Sequence, residues 1–201
     1  MTNALTTLLA ITVLAIAGTG IAAAQDGSMA AEEAKPAVVK TKSERLDAYF
    51  LELKREPEPG SARRIADRIW AEWRTSDSAT ANQLMEWANE AIRDKRFLTA
   101  LDLLDQVTVL MPDYAEGWNR RATLHYMMDN HAKSMADINV VLQLEPRHFG
   151  ALMGMASILS AAGSDEAALG TYLKVLEVYP AMREAQERVG ELSEDLTGDE
   201  I

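Results

Sequence analysis

Cysteine is absent from this 201-residue chain. That absence excludes a disulfide framework, cysteine metal sites, a thiol nucleophile and lipid attachment at an N-terminal cysteine. Several catalytic signatures are missing too: no Gly-rich phosphate loop, nucleophile elbow or paired-carboxylate motif appears. Basic residues are in deficit, with 20 Lys and Arg against 31 Asp and Glu and a net charge of −11. Binding to a phosphate backbone depends on cationic side chains that release counterions, so the composition argues against a nucleic-acid partner. The deficit is concentrated at one end. Residues 184–201 carry Glu184, Glu187, Glu191, Glu194, Asp195, Asp199 and Glu200 against Arg188. We read this as a solvated terminus that keeps the molecule soluble.

Lys, Arg, Asp and Glu are also missing from Met1 to Ala24, where Leu8 to Ala17 is an apolar run and Ala22-Ala23-Ala24 supplies small residues. This pattern predicts a signal peptide over 1–24, cleavage before Gln25 and a periplasmic or secreted mature protein. The alternative is retention of the segment as an N-terminal membrane anchor, since the stretch approaches the ~20 residues that a span needs. Nothing later in the chain reads as a membrane segment. Residues 25–42 mix Ala, Glu, Lys, Pro and Gly without amphipathic period, which predicts a flexible linker.

What the remainder does have is a period. Pro112, Pro146 and Pro180 stand 34 residues apart without insertion or deletion. Laid on that frame, 81–114, 115–148 and 149–182 align column by column. The fourth column holds Leu84, Trp118 and Leu152, and the eighth holds Ala88, Ala122 and Ala156. The twentieth holds Ala100, Ser134 and Ala168, the twenty-fourth Leu104, Ile138 and Tyr172, and the twenty-seventh Val107, Val141 and Val175. Small residues at columns 8 and 20 let two helices of a unit approach closely, and the 20, 24, 27 spacing is an amphipathic helical stripe. Proline ends the second helix because it lacks an N–H and restricts the residue before it. Lys95, Asp129 and Gly163 fall at the turn inside each unit. Such a period predicts stacked helix–turn–helix units, each covering its neighbour's apolar face.

Run back one period, the frame places Phe50, Ala66, Trp70 and Trp73 in helical columns but Ser78 in the terminal one. Residues 43–80 are therefore expected to form a degenerate N-capping repeat with its turn at Pro57-Glu58-Pro59-Gly60. Residues 183–196, striped by Ala185, Val189 and Leu192, are expected to form a C-terminal capping helix, followed by an acidic tail at 197–201.

The segment Ala115-Glu116-Gly117-Trp118-Asn119-Arg120-Arg121-Ala122, followed by Ser134, Asp137 and Leu142-Gln143-Leu144-Glu145-Pro146, closely resembles the tetratricopeptide repeat family. The stretch from Pro112 to Pro146 is also similar to small exported repeat proteins of Gram-negative bacteria. The resemblance implies an all-α, right-handed superhelical stack, here of about nine helices. It implies no enzymatic activity and a protein or peptide partner held in a concave groove lined by the first helix of each unit. Carried over by column, the groove comprises Asn82, Met85, Asn89 and Arg93; Glu116, Asn119, Thr123, Tyr126 and Met127; and Met153 and Ser157. Family members that clamp a C-terminal carboxylate place Lys and Arg on this face. Met85, Asn119, Met153, Thr123 and Ser157 do not fit that clamp; only Asn89 does. Self-association through an exposed terminal repeat is the rival reading.

No catalytic residue, metal site or cofactor is predicted. His125 and Asp129 share a helix face, but spacing supplies no third ligand. His131, Ser134 and Asp137 lie on one helix, where the base cannot bridge the other two as a triad requires. The methionines suit a deformable peptide surface better than cuprous copper, because no regular methionine motif is present. Trp70, Trp73, Trp87 and Trp118 are all expected in the core, and Arg121 and Asp137 are expected to pair across one repeat.

Overall fold

The computed structural model describes residues 40–198. The expected signal segment 1–24, nearly all of the linker 25–42 and residues 199–201 of the tail lie outside the described residues. Within them run nine helices and no strand: α1 (Lys42–Arg55), α2 (Pro59–Trp73), α3 (Ala79–Arg93), α4 (Phe97–Leu110), α5 (Ala115–Met127), α6 (His131–Leu144), α7 (Phe149–Ala161), α8 (Asp165–Val178) and α9 (Arg183–Gly198). None of these is long and apolar enough to cross a membrane.

The repeat period is visible in the backbone. Each unit turns through one residue at positive φ, Lys95 at 57°, Asp129 at 61° and Gly163 at 69°. The next N–H then reaches back to the same place on the preceding helix: Arg96 to Ala91 O at 2.8 Å, Asn130 to His125 O at 2.8 Å, Ser164 to Leu159 O at 2.9 Å. This left-handed closure satisfies carbonyls that a helix end otherwise leaves open. The small-residue columns are fully enclosed, with Ala88, Ala100, Ser134, Ala156 and Ala168 at 0% exposure. Ser134 repays burial of its hydroxyl by donating to Ala122 O at 2.8 Å.

The first helix pair departs from the expected stacking. α1 opens with a capping box between Thr41 and Glu44, and Pro59 sits in the first turn of α2, where its missing N–H costs nothing. The apolar face of this hairpin, Leu46, Phe50, Leu53, Ile65, Ile69 and Trp73, does not continue the stack before α3. It shares one cluster with Phe149, Leu152, Tyr172, Val175, Tyr179 and Leu192 of the third repeat and α9, and no residue of the first repeat belongs to that cluster. The partners of the hairpin's aromatic rings explain the choice. Trp73 stacks on His148 with centroids 4.0 Å apart and planes 9° from parallel, and Trp70 meets Phe149 edge-on at 5.4 Å. Polar links pin the hairpin's ends: Tyr114 Oη donates to Arg74 O at 2.8 Å, and Arg147 Nη1 donates to Asp47 Oδ1 at 2.7 Å. The expected N-terminal cap is instead a hairpin laid against the third repeat.

The tryptophans also divide. Trp73 is buried and Trp70 half-buried against the hairpin cluster, but Trp87 is 50% exposed. Trp118 is only half-buried: its Nε1 donates to Pro112 O at 2.9 Å and its ring lies under the Arg121 guanidinium, 4.6 Å from the centroid. It rims the third core cluster and does not fill it. Trp118→Ala is therefore expected to cost about 1–2 kcal/mol, near the value of partial aromatic burial with one cation–π contact. Urea denaturation checks this; a loss above about 4 kcal/mol, typical of a fully buried ring, would restore it to the core.

Candidate functional site

Between α5 and α7 the surface opens into a cleft of about 150 Å³. Asn119, Ala122, Thr123 and Tyr126 line it from α5, Ser134 and Ile138 from α6, and Gly150, Ala151, Gly154 and Ser157 from α7. Side chains four apart on a helix share a face, so Asn119, Thr123 and Tyr126 form one wall and Gly150, Gly154 and Ser157 the other. The cleft exists because the α7 wall has almost no side chains. Gly154 occupies a column filled by Glu86 and Arg120 in the other repeats, and Gly150 one filled by Asn82 and Glu116. Gly154 has no place in the set of groove residues carried over by column. The sequence signal for it is a small residue at a position the sister repeats give to long charged ones.

The structure gathers Asn119, Thr123, Tyr126 and Ser157 at this cleft. Met127, 48% exposed, flanks Tyr126 on α5. Arg93 is exposed and Asn89 half-buried on α3. Four others are committed elsewhere. Met85 is 4% exposed and packs with Leu84, Ala88 and Leu104 in the core of the first repeat, so it is no groove residue. Asn82 is tied to the α2–α3 loop, where its Oδ1 accepts from Ser76 N at 2.9 Å. Met153 packs against the hairpin cluster. Glu116 is buried completely at the side chain.

Glu116 anchors a closed polar cluster that limits the groove on one side. Its carboxylate accepts from Asn119 Nδ2 at 2.7 Å and from Arg120 Nη2 at 3.1 Å. His148 Nε2 faces it at 3.4 Å. His148 Nδ1 accepts from Ala151 N at 3.1 Å, which places the imidazole proton of the neutral ring on Nε2, towards the carboxylate. Trp73 covers His148, and a methyl group on Gly150 would lie 2.7 Å from Trp70 Cη2. The end of the groove face at Glu116 and Gly150 is thus occupied by α2 of the same chain. Burial and nearby Glu116 push the Tyr114 phenol well above its usual range, which keeps its proton on the bond to Arg74.

On another face of α5 the expected Arg121–Asp137 pair forms. Arg121 Nε donates to Asp137 Oδ2 at 2.8 Å and Nη2 to Oδ1 at 2.7 Å, while Nη1 reaches Asp105. His125 lies beside it, with Nε2 4.0 Å from Asp137 Oδ2. Burial lowers the His125 pKa against the opposing pull of Asp137. This cluster bridges α5 and α6 of one repeat and reaches α4 of the repeat before it; it takes no part in the cleft.

No family model matches the chain. A TPR repeat-containing protein of Rhizobium etli is 55% identical over 155 residues, covering 77% of this chain and 76% of that protein. Among solved structures, the first TPR of Spaghetti (RPAP3) bound to an HSP90 peptide is similar at a TM-score of 0.56 and 23% identity, over 60% of this chain and 96% of that one. MamA protein is similar at 0.53 and 15% identity, over 76% of this chain and 82% of that one. The two structures share the fold, and the Rhizobium relative shares the sequence across most of both chains. The chain belongs to the tetratricopeptide repeat family.

Proposed function

We propose that this protein is a non-enzymatic adaptor that holds a protein or peptide partner in the cleft between α5 and α7, acting in the periplasm after removal of residues 1–24. The carrying observation is the cleft itself: Thr123 and Tyr126 are solvent-facing, uncharged and outside the core clusters, opposite a wall of small residues. Similar folds hold peptides, as in the Spaghetti domain bound to the HSP90 peptide SRMEEVD. The side chains of this cleft differ from a cationic clamp, since none of its lining residues is Lys or Arg.

The test is affinity purification of the mature chain from its own periplasm, with intact mass reading whether the first 24 residues are gone. Asn119 is unsuitable for substitution, because Asn119→Ala would strip a buried carboxylate of a donor. Thr123→Ala with Tyr126→Ala touches only exposed groups. It is expected to leave helicity unchanged by circular dichroism and to reduce partner capture at least about tenfold, the scale of losing roughly 1.4 kcal/mol at an interface. Undiminished capture would remove the cleft from the interface.

A second reading, self-association in an envelope assembly, draws on the first repeat. Leu98 is 71% and Val109 82% exposed on α4, where the third repeat has Glu166 and Glu177. A dimer seen by light scattering that Val109→Asp dissolves would favour it.

A further inference from the structure

The hydrogen bonds inside the cleft have a common direction. Thr123 Oγ1 donates its proton to Asn119 O at 2.9 Å, and Ser157 Oγ donates to Met153 O at 2.9 Å. Ser134, at the back, donates to Ala122 O. Asn119 points its amide nitrogen at Glu116, a carboxylate that only accepts, so its Oδ1 is the free end. Asn119 is 92% buried, and no described group donates to that oxygen. Every hydroxyl proton of the lining except that of Tyr126 is already spent on a helix carbonyl. What the cleft offers a ligand is oxygen lone pairs around an apolar interior of Ala122, Ile138 and Gly154.

A ligand complementary to that surface has an apolar stem and a terminal donor. The charge nearby selects its sign. Ser160, one turn beyond Ser157 on α7, accepts from Arg188 Nη2 at 3.1 Å and so joins α9 to this wall through a cation that Glu191 offsets. On α9, Glu184, Glu187, Glu191, Glu194 and Asp195 are exposed, and of these only Glu191 has an ion-pair partner among the described residues. An ammonium is compact, carries three donors and rides on a four-carbon stem, whereas a guanidinium is a broad planar fork. A cleft of about 150 Å³ suits the former.

We propose that the cleft between α5 and α7 is a lysine site: it takes the side chain of a lysine presented by an extended segment of a partner protein, with the stem against Ala122, Ile138 and Gly154, the ammonium at Asn119 Oδ1, Thr123 Oγ1 and Ser157 Oγ, and the α9 carboxylates steering its approach. An extended segment is the form proposed because α2 already closes the Glu116–Gly150 end of the groove face. The inference rests on the groove reading given above and adds the identity of the anchoring side chain.

The experiment is an amide-resolved NMR titration of the chain from Gln25 onwards with three acetylated, amidated heptapeptides of Gly, Ser and Ala that differ only at the centre: lysine, norleucine or glutamate. Norleucine keeps the stem and lacks the ammonium. The lysine peptide is expected to give saturable shifts at the Gly150 and Gly154 amides and the Asn119 side-chain amide, with affinity at least about tenfold above norleucine and falling with salt. The glutamate peptide is expected to give none. Gly154→Leu fills the cleft, and its Cβ meets only Ile138 Cδ1 at 3.4 Å; it is expected to abolish the lysine shifts while thermal unfolding stays near wild type. Equal affinity for lysine and norleucine, or no shift at these reporters, overturns the lysine assignment. Capture of the native partner by wild type but not by Gly154→Leu would then still leave the groove reading standing, so the two claims fail separately.

Discussion

Trp73→Ala is expected to lower the unfolding free energy by about 3–5 kcal/mol, the range for emptying a buried tryptophan site, and to detach the α1–α2 hairpin while the three repeats stay helical. Trp73 is 4% exposed and is the ring on which the hairpin's attachment turns. It stacks on His148 at 4.0 Å, meets Trp70 edge-on at 5.2 Å and contacts Phe149 at 5.1 Å and Phe50 at 5.8 Å. Removing it opens a void bordered by both sides of the hairpin contact, and surroundings built from rigid rings collapse poorly into it. Its Nε1 is buried without a partner. Trp73→Phe, which deletes that unsatisfied donor and keeps an aromatic face, is expected to cost about 1–2 kcal/mol. Urea denaturation gives the magnitudes. Hydrogen exchange gives the locality, with α1 and α2 amides losing protection first. A loss for the alanine variant no greater than for Trp118→Ala, with hairpin protection intact, would mean that the hairpin is held elsewhere.

The hairpin also marks the limit of what the period could reveal. Columns 20, 24 and 27 identify which face of a helix is buried, and they did so correctly for Ala66 and Trp73 as for Ala100 and Val107. They carry no information on what covers that face. For three consecutive units joined by short proline-ended loops, the neighbour in sequence is the neighbour in space, so the stack and its turns could be read from Pro112, Pro146 and Pro180. After α2 the chain has Arg74 to Ser78 and no proline, and Ser78 serves as the N-cap of α3. The aromatic residues that accept Trp70 and Trp73 lie more than seventy positions later, at His148 and Phe149.

The same distinction separates the legible and illegible parts of the site. Asn119, Thr123, Tyr126 and Ser157 line a cleft because their columns face away from the contacts between the two helices of each unit. Glu116 shares that orientation, and its column gives no hint that α2 and His148 cover it. Met85 is buried, as Asn119 is in the same column of the next unit, and it packs into the core of its own repeat. Depth of burial at a groove column depends on long-range packing, which a 34-residue frame does not encode.

Arg121→Met is expected to cost about 3–5 kcal/mol at about pH 8, the range for stranding one member of a buried ion pair. Asp137 is 7% exposed at its side chain and takes two of its hydrogen bonds from Arg121, whose own side chain is 18% exposed. That pairing holds the guanidinium pKa above its usual value. Methionine preserves much of the stem and removes the charge, so the carboxylate keeps its burial and loses its partner. The pH dependence then identifies the cause. In the wild type, burial holds the His125 pKa below its ordinary 6.5, with the Arg121 charge adding to the effect and Asp137 opposing it. A histidine with a lowered folded pKa contributes stability above its unfolded pKa and loses it as pH falls through that value, so wild-type stability declines somewhat on acidification below about pH 6.5. With Arg121 gone, Asp137 dominates the field at His125 Nε2, 4.0 Å away. The folded pKa rises relative to wild type, although burial still opposes it, so the variant loses less stability than wild type as pH falls below about 6.5. The deficit of Arg121→Met relative to wild type is therefore expected to shrink by about 1 kcal/mol between about pH 8 and about pH 5.5, roughly the worth of one pKa unit. Urea curves at both pH values measure it. Protonation of Asp137 itself would relieve the variant in the same direction, and the double variant Arg121→Met with His125→Gln separates the two, since any recovery that persists there belongs to Asp137. A deficit below about 1 kcal/mol at about pH 8 would place the pair among surface ion pairs of little consequence, and a deficit independent of pH would show that neither group takes over the role of the guanidinium.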